Sequence, residues 1–137
     1  MSQKTVLLDT NVIIRFLLND HEKLSKKAGK IFKKIIDQKI EAILNHVTTA
    51  EVYYVLYKVY ELPKKDIVGQ LNTIINLGNI NIDQKYLILK TLYILEKYNI
   101  PFVDAYNLLF ALAYEAELKT FDIKLRKLYK RLKKEFI

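Results

Sequence analysis

Asp9, Glu51, Asp104 and Asp122 are the residues of this chain whose type and setting point to chemistry. Asp9 is the only formal charge between Lys4 and Arg15, Glu51 the only one between Glu41 and Lys58, and Asp104 the only one between Lys97 and Glu115. Asp122 closes the short apolar stretch Leu118-Lys119-Thr120-Phe121. An ionised carboxylate among nonpolar residues is costly unless it is paired or bound to a cation. No lysine or arginine adjoins the three lone acids. Several such carboxylates in one chain suggest convergence on a divalent metal. Mg²⁺ or Mn²⁺ prefers oxygen ligands and usually keeps several waters. One deprotonated water can then attack a phosphorus in line while the ion offsets the charge on the phosphoryl oxygens; a second ion would stabilise the leaving oxygen.

The elements that must hold these acids follow from the apolar pattern. Thr5 to Asp9 reads as a buried strand, and Glu41 to Asn45 as a second. Ile80 to Ile82 and Leu118 to Phe121 read as a third and a fourth, and Glu135-Phe136-Ile137 as a short edge strand or a frayed end. Helices are expected from Asn11 to Leu18 and from Glu22 to Asp37, the latter strongly amphipathic. Thr48 or Thr49 is expected to cap a helix through about Tyr60, and Pro63 to open one that ends at Gly78-Asn79. Asp83 is expected to cap a helix from Gln84 to about Tyr98, and Asn99-Ile100-Pro101 to form a turn. A nearly continuous apolar helix then runs from Phe102 to Glu115, and Asp122 caps a last one through about Lys134. Strands that alternate with helices imply an α/β fold with a parallel sheet covered on both faces. Sites in such folds lie beyond the carboxyl ends of the strands, where this reading puts Asp9 and Asp122.

At 137 residues the chain is expected to form a single domain, 1–137, with enough length for a core. With 51% hydrophobic residues it is not expected to be disordered. The absence of cysteine excludes disulfides, thiolate metal sites and cysteine nucleophiles, and two histidines are too few for a zinc cluster. The first residues carry no signal-peptide pattern and no apolar run reaches membrane-spanning length, so no membrane partner and a cytoplasmic location are expected. The net charge is +8, with the excess in Lys23–Lys34 and Lys124–Lys134. Each stretch is equally well a solvated helix face or a surface that attracts a polyanion.

Each acid also has an ordinary role open to it. Asp9 and Asp122 suit helix caps, and Glu51 and Asp104 suit helix N-termini. Caps explain a glutamate inside Ala50-Glu51-Val52-Tyr53-Tyr54 poorly. Thr10, Asn11 and Thr120 are candidates to orient a carboxylate or a metal-bound water, or else serve as turn residues. Asn107 shares a helix face with Asp104 and borders the same site or bonds the backbone. Tyr53, Tyr57 and Tyr60 share a face that suits core or dimer contacts better than RNA stacking. His21 and His46 are not assigned a role.

Four segments together resemble a known pattern. Leu7-Leu8-Asp9-Thr10-Asn11-Val12-Ile13 resembles the opening of PIN-domain proteins. Thr49-Ala50-Glu51-Val52-Tyr53-Tyr54-Val55-Leu56, Phe102-Val103-Asp104-Ala105 and Leu118-Lys119-Thr120-Phe121-Asp122-Ile123-Lys124-Leu125 resemble the second, third and fourth acidic motifs. The compact size is similar to that of the VapC toxins of toxin–antitoxin pairs. The resemblance implies a three-layer α/β/α sandwich around a mainly parallel sheet of 4–5 short strands. It implies a Mg²⁺- or Mn²⁺-dependent endoribonuclease in which Asp9, Glu51 and Asp104 are metal-site acids and Asp122 a fourth, acting through water. It also implies a homodimer, a small antitoxin as partner, and transfer or ribosomal RNA as substrate. One departure stands out: many relatives carry a glycine after the Asp104 helix, where this chain has Glu115-Ala116-Glu117. The alternatives are an RNA-processing PIN nuclease without an antitoxin, a silent PIN scaffold or RNA-binding module, and a DNA nuclease.

Overall fold

Three short β-prone runs become strands and pair in parallel. They are β1 (Lys4–Leu7), β2 (Ile40–Leu44) and β3 (Ile80–Ile82), side by side in that order. The computed structural model describes residues 4–135 and sets Val6 opposite Ala42, and Ala42 opposite Ile80. Parallel neighbours need long crossovers, and helices supply them. α1 (Thr10–Leu18) and α2 (Glu22–Ile36) lie between β1 and β2; α3 (His46–Tyr54) and α4 (Lys64–Ile75) lie between β2 and β3. Alternation across each strand then assigns the faces. Leu8, Ala42, Leu44 and Ile80 are buried, whereas Leu7 and Ile43 are exposed.

The helices form where their apolar spacing predicts. α2 buries Ala28, Phe32 and Ile35 and leaves its lysines in solvent. Phe32 stacks on Phe16 of α1 with ring centroids 4.0 Å apart. His21 starts α2, its Nδ1 accepting from the Leu24 amide. The cap of α3 is Asn45 rather than Thr48 or Thr49: its side chain accepts from Thr48 N at 2.8 Å, so the helix begins at His46. Beyond Tyr54 it continues as a π-helix, Val55–Val59. α4 ends at Ile75, short of the Gly78-Asn79 stop.

The described residues group into two compact units that divide between Lys85 and Tyr86. The first holds the sheet. The second is built from α5 (Lys85–Lys97), α6 (Phe102–Ala113) and α7 (Ile123–Glu135), with α6 packed on α7 and a core that includes Leu92, Leu95, Leu108, Leu125 and Leu132. α6 closes with a paired turn: Glu115 N donates to Leu112 O and Ala116 N to Ala111 O, with Glu115 left-handed at φ 54.

The α/β class and the parallel sheet are as the sequence predicts. Among the described residues the sheet has three strands, because Leu118 to Phe121 is a loop. Side chains of α7 hold this segment: Tyr129 Oη donates to Ala116 O and Arg126 to Thr120 O. Those carbonyls are thereby satisfied without a strand partner. The edge strand considered at the end of the chain falls mostly on Phe136 and Ile137, outside the described residues; Glu135 ends α7. Among the described residues no helix is long and apolar enough to cross a membrane.

Candidate functional site

The first unit places Asp9 where the sequence predicts, just beyond the end of β1 and immediately before α1. Its backbone is extended and its carboxylate makes no cap bond to α1. The ordinary role for Asp9 is therefore not the one it plays. Thr10 follows as a buried residue whose Oγ1 has no hydrogen-bond partner, a costly condition that a ligand or water would relieve. Asn11 is exposed. Leu7 pairs with Ile43 and Leu44 with Ile82. Asp9, Asn45 and Asp83 each lie just past the end of one of the three strands, at the carboxyl edge of the sheet.

Asp83 is engaged differently from the helix cap expected of it. Its Oδ2 lies 2.7 Å from His46 Nδ1, and its Oδ1 accepts from His46 N at 3.1 Å. This pair was not assigned from sequence. The available signal was positional, since Asn45-His46 and Asp83 follow strands as Asp9 does. Glu51 is exposed and lies in the second turn of α3, not the first, because Asn45 moves the helix start upstream. That distance weakens any attraction to the helix N-terminus. Tyr53 is core, and its ring stacks on Tyr57 at 5.8 Å.

In the second unit Asp104 occupies the first turn of α6, as expected, and is half-buried. Asp122 precedes α7 at the end of a loop rather than of a strand. It does cap that helix: Oδ1 accepts from Leu125 N at 3.1 Å, while its own N–H donates to Thr120 Oγ1 at 3.0 Å. Thr120 thus makes the turn bond that is its ordinary alternative role: its hydroxyl accepts from the Asp122 backbone and does not touch the carboxylate. Asn107 is exposed on α6, one turn past Asp104.

Asp104 and Asp122 line the same cavity, of about 360 Å³. Tyr98, Ile100, Pro101, Leu125 and Leu128 supply its apolar wall, and Lys124, Lys127 and Arg131 its positive charge. Those three cations recur at spacings of three and four, one face of α7. That spacing is the signal that a reading of the stretch as a single basic block overlooked. Among the described residues none of the three forms an ion pair with either carboxylate.

The acids are less buried than their sequence neighbours suggest. Asp9, Glu51 and Asp122 are exposed, because adjacent residues on a helix or strand point in other directions. Exposure to water already offsets part of their charge cost. Among the described residues no group of three or more His, Asp or Glu side chains is gathered to hold a metal ion. The structure does gather the Asp104–Asp122 pair at one cavity. An all-oxygen pair fits a hydrated Mg²⁺, which is commonly held by one or two carboxylates and keeps its other waters.

A family model described as PIN domain matches residues 6–131, a span that holds all four acids. No curated protein and no solved structure matches the chain. PIN domains are in general a nuclease-type fold, and with nearly its whole length matched this chain belongs to the PIN domain family.

Proposed function

We propose that this PIN domain is a metal-dependent endoribonuclease, the toxin of a VapBC-type toxin–antitoxin pair. The observation that carries the reading is the cavity where Asp104 and Asp122 meet Lys124, Lys127 and Arg131. Opposite charges left unpaired around one opening suit a substrate that is a polyanion and a cation that accompanies it. Asp9, Glu51 and Asp104 act as the metal-site acids. Asp122 joins through its Oδ2, since Oδ1 is committed to the α7 amide. When bound, Mg²⁺ or Mn²⁺ supplies an activated water and offsets charge on the phosphoryl oxygens. The chain's own contribution is positioning. The cap fixes Asp122, Thr120 fixes the backbone beneath it, and the α7 cations hold the phosphates.

The two units act together as one domain over 1–137 in this reading, in the cytoplasm, as a homodimer restrained by a small antitoxin, with transfer or ribosomal RNA as substrate. One observation favours the silent-scaffold alternative: among the described residues the acids are not gathered in threes. The deciding experiment is cleavage of total cellular RNA with Mn²⁺ or EDTA, wild type beside Asp104→Asn. Discrete metal-dependent products from wild type alone support the nuclease. Absence of cleavage and of carboxylate-dependent Mn²⁺ binding in the folded protein supports the scaffold.

A further inference from the structure

We infer that the outward face of α2 is a docking surface for the sugar–phosphate backbone of RNA, on a different helix from the cavity cations and indifferent to base sequence. The inference rests on the RNA reading above and adds a second place where the chain holds its substrate. Lys23, Lys27, Lys30 and Lys34 recur at steps of four, three and four, so they form one row along the helix. At about 1.5 Å of rise per residue the row is roughly 16 Å long. All four are exposed, on the side away from the buried Ala28, Phe32 and Ile35, and exposed Lys26 flanks them. No acid stands between Glu22 and Asp37. Among the described residues Lys33 alone of the α2 lysines has an ion partner, Asp37 at 3.2 Å. Helix faces that serve only solubility mix acids with their lysines, because like charges three or four residues apart repel. A polyanion laid along the row would remove that repulsion.

The make-up of the row selects among polyanions. Protein interfaces are depleted in lysine and enriched in aromatic residues and arginine, and this row holds neither. A helix that lies on a lipid surface buries its apolar face there. That face of α2 is occupied by the core: Phe32 and Ile35 are fully buried, and Phe32 stacks on Phe16. The exposed Leu24 and Ile36 lie off the row. A lysine ammonium is a point charge on a flexible stem, which suits phosphates met at varied angles. One strand of a duplex presents a phosphate about every 3.4 Å of axis, so the row spans roughly four or five of them. The row has no ring to stack on a base, and the deep groove of an A-form helix is closed to side chains. The contact is therefore to phosphates and carries no sequence information.

The test is the salt dependence of binding, measured in EDTA. Two fluorescein-labelled RNA hairpins of equal length and unrelated sequence are titrated at several salt concentrations. The proteins are wild type, an α2 variant carrying Lys23→Gln, Lys27→Gln, Lys30→Gln and Lys34→Gln, and a control carrying Lys39→Gln, Lys58→Gln, Lys65→Gln and Lys85→Gln. The control residues are exposed lysines outside α2, so both variants lose the same charge. Glutamine keeps the helix propensity of lysine, and thermal melting reports that each variant is folded. The α2 variant should bind both hairpins more weakly, with the slope of log affinity against log salt reduced by about three, close to one per lysine. The control should change the slope by less than about one. Equal slopes in the two variants, or a loss confined to one hairpin, overturn the surface. So does α2-dependent binding to vesicles of phosphatidylglycerol and phosphatidylcholine in equal parts with the RNA slope unchanged, which assigns the face to lipid. Mn²⁺-dependent cleavage is measured in parallel. An α2-dependent slope in a protein that never cleaves retains the surface and discards the nuclease. Cleavage by wild type with an α2-independent slope does the reverse.

Discussion

Asp9 in the first unit and Asp122 in the second stand in the same local place, the residue before a helix. At Asp122 the carboxylate turns inward, Oδ1 taking the Leu125 amide, and a loop held by Tyr129 and Arg126 fixes its approach. At Asp9 the carboxylate makes no such bond and stays exposed at the carboxyl edge of a parallel sheet. Identical residue types at equivalent positions therefore hold different free energies. One stabilises its helix; the other leaves its charge available to a ligand. An acid whose carboxylate is not bonded to its own helix is the better candidate for function, and Asp9, with a buried hydroxyl left unbonded beside it, is such an acid.

The sharpest way to break this contrast is Asp9→Asn. The expected outcome is loss of Mn²⁺-dependent RNA cleavage by at least about a hundredfold, roughly 2.7 kcal/mol in the barrier. The midpoint of urea unfolding should barely move, within about 0.5 kcal/mol. A clear loss of stability would show that Asp9 serves its helix after all.

The units also differ in what they do with tyrosine. Tyr53 is 4% exposed, whereas Tyr98 lines a cavity. Burial first, and neighbouring Tyr57 second, push the Tyr53 hydroxyl from 10.0 up to about 12. The unfolded chain thus releases this proton at lower pH than the folded one. The associated stability is intact below pH 10 and is lost as pH rises from 10 to about 12. The loss should be no more than about 2 kcal/mol once solvent screening is allowed for. Tyr53→Phe should flatten this alkaline limb in denaturant titrations, and an unaltered slope would remove Tyr53 as its source.

A smaller effect separates the two functions of Asp122. Asp122→Ala should cost about 1 kcal/mol of stability, the worth of a helix cap. Asp122→Asn should restore that stability, since asparagine caps as well as aspartate, without restoring cleavage. Equal stability of all three proteins by chemical denaturation would mean that the bond to Leu125 is not a determinant of the fold.

Much of the scaffold was legible because hydrophobic period and chain punctuation agree. Ile80-Asn81-Ile82 reads as a strand and is one; Phe102 onward reads as a buried helix and is a helix buried on one side only, since Val103, Asn107 and Phe110 are exposed. Leu118 to Phe121 is a loop and not the expected strand because four residues, only Leu118 and Phe121 of them apolar, specify a strand only if a neighbour pairs with their backbone. Here Tyr129 and Arg126 take the adjoining carbonyls, and Phe121 is fully exposed. The site was legible at its acids and not at its walls. Asp104 and Asp122 stand out as carboxylates, but their shared cavity depends on α6 packing against α7. Nor does sequence show that Asp83 turns to His46, a contact 37 residues away.

Helix ends give the last contrast. α1 closes on Asn19 with φ 49 and α6 on Glu115 with φ 54. Asparagine tolerates the left-handed region; glutamate has no such ease. Glu115 nonetheless sits at the position where the paired turn favours glycine, which explains physically why the expected glycine belongs there. A left-handed residue with a β-carbon costs about 1–2 kcal/mol, and the greater freedom of unfolded glycine offsets about 0.5–1 of it. Glu115→Gly should therefore raise stability by about 0.5–1 kcal/mol in urea titrations, and Asn19→Gly should change it less. The reverse order would mean that the Glu115 side chain contributes a favourable interaction in solution large enough to outweigh the strain of its backbone.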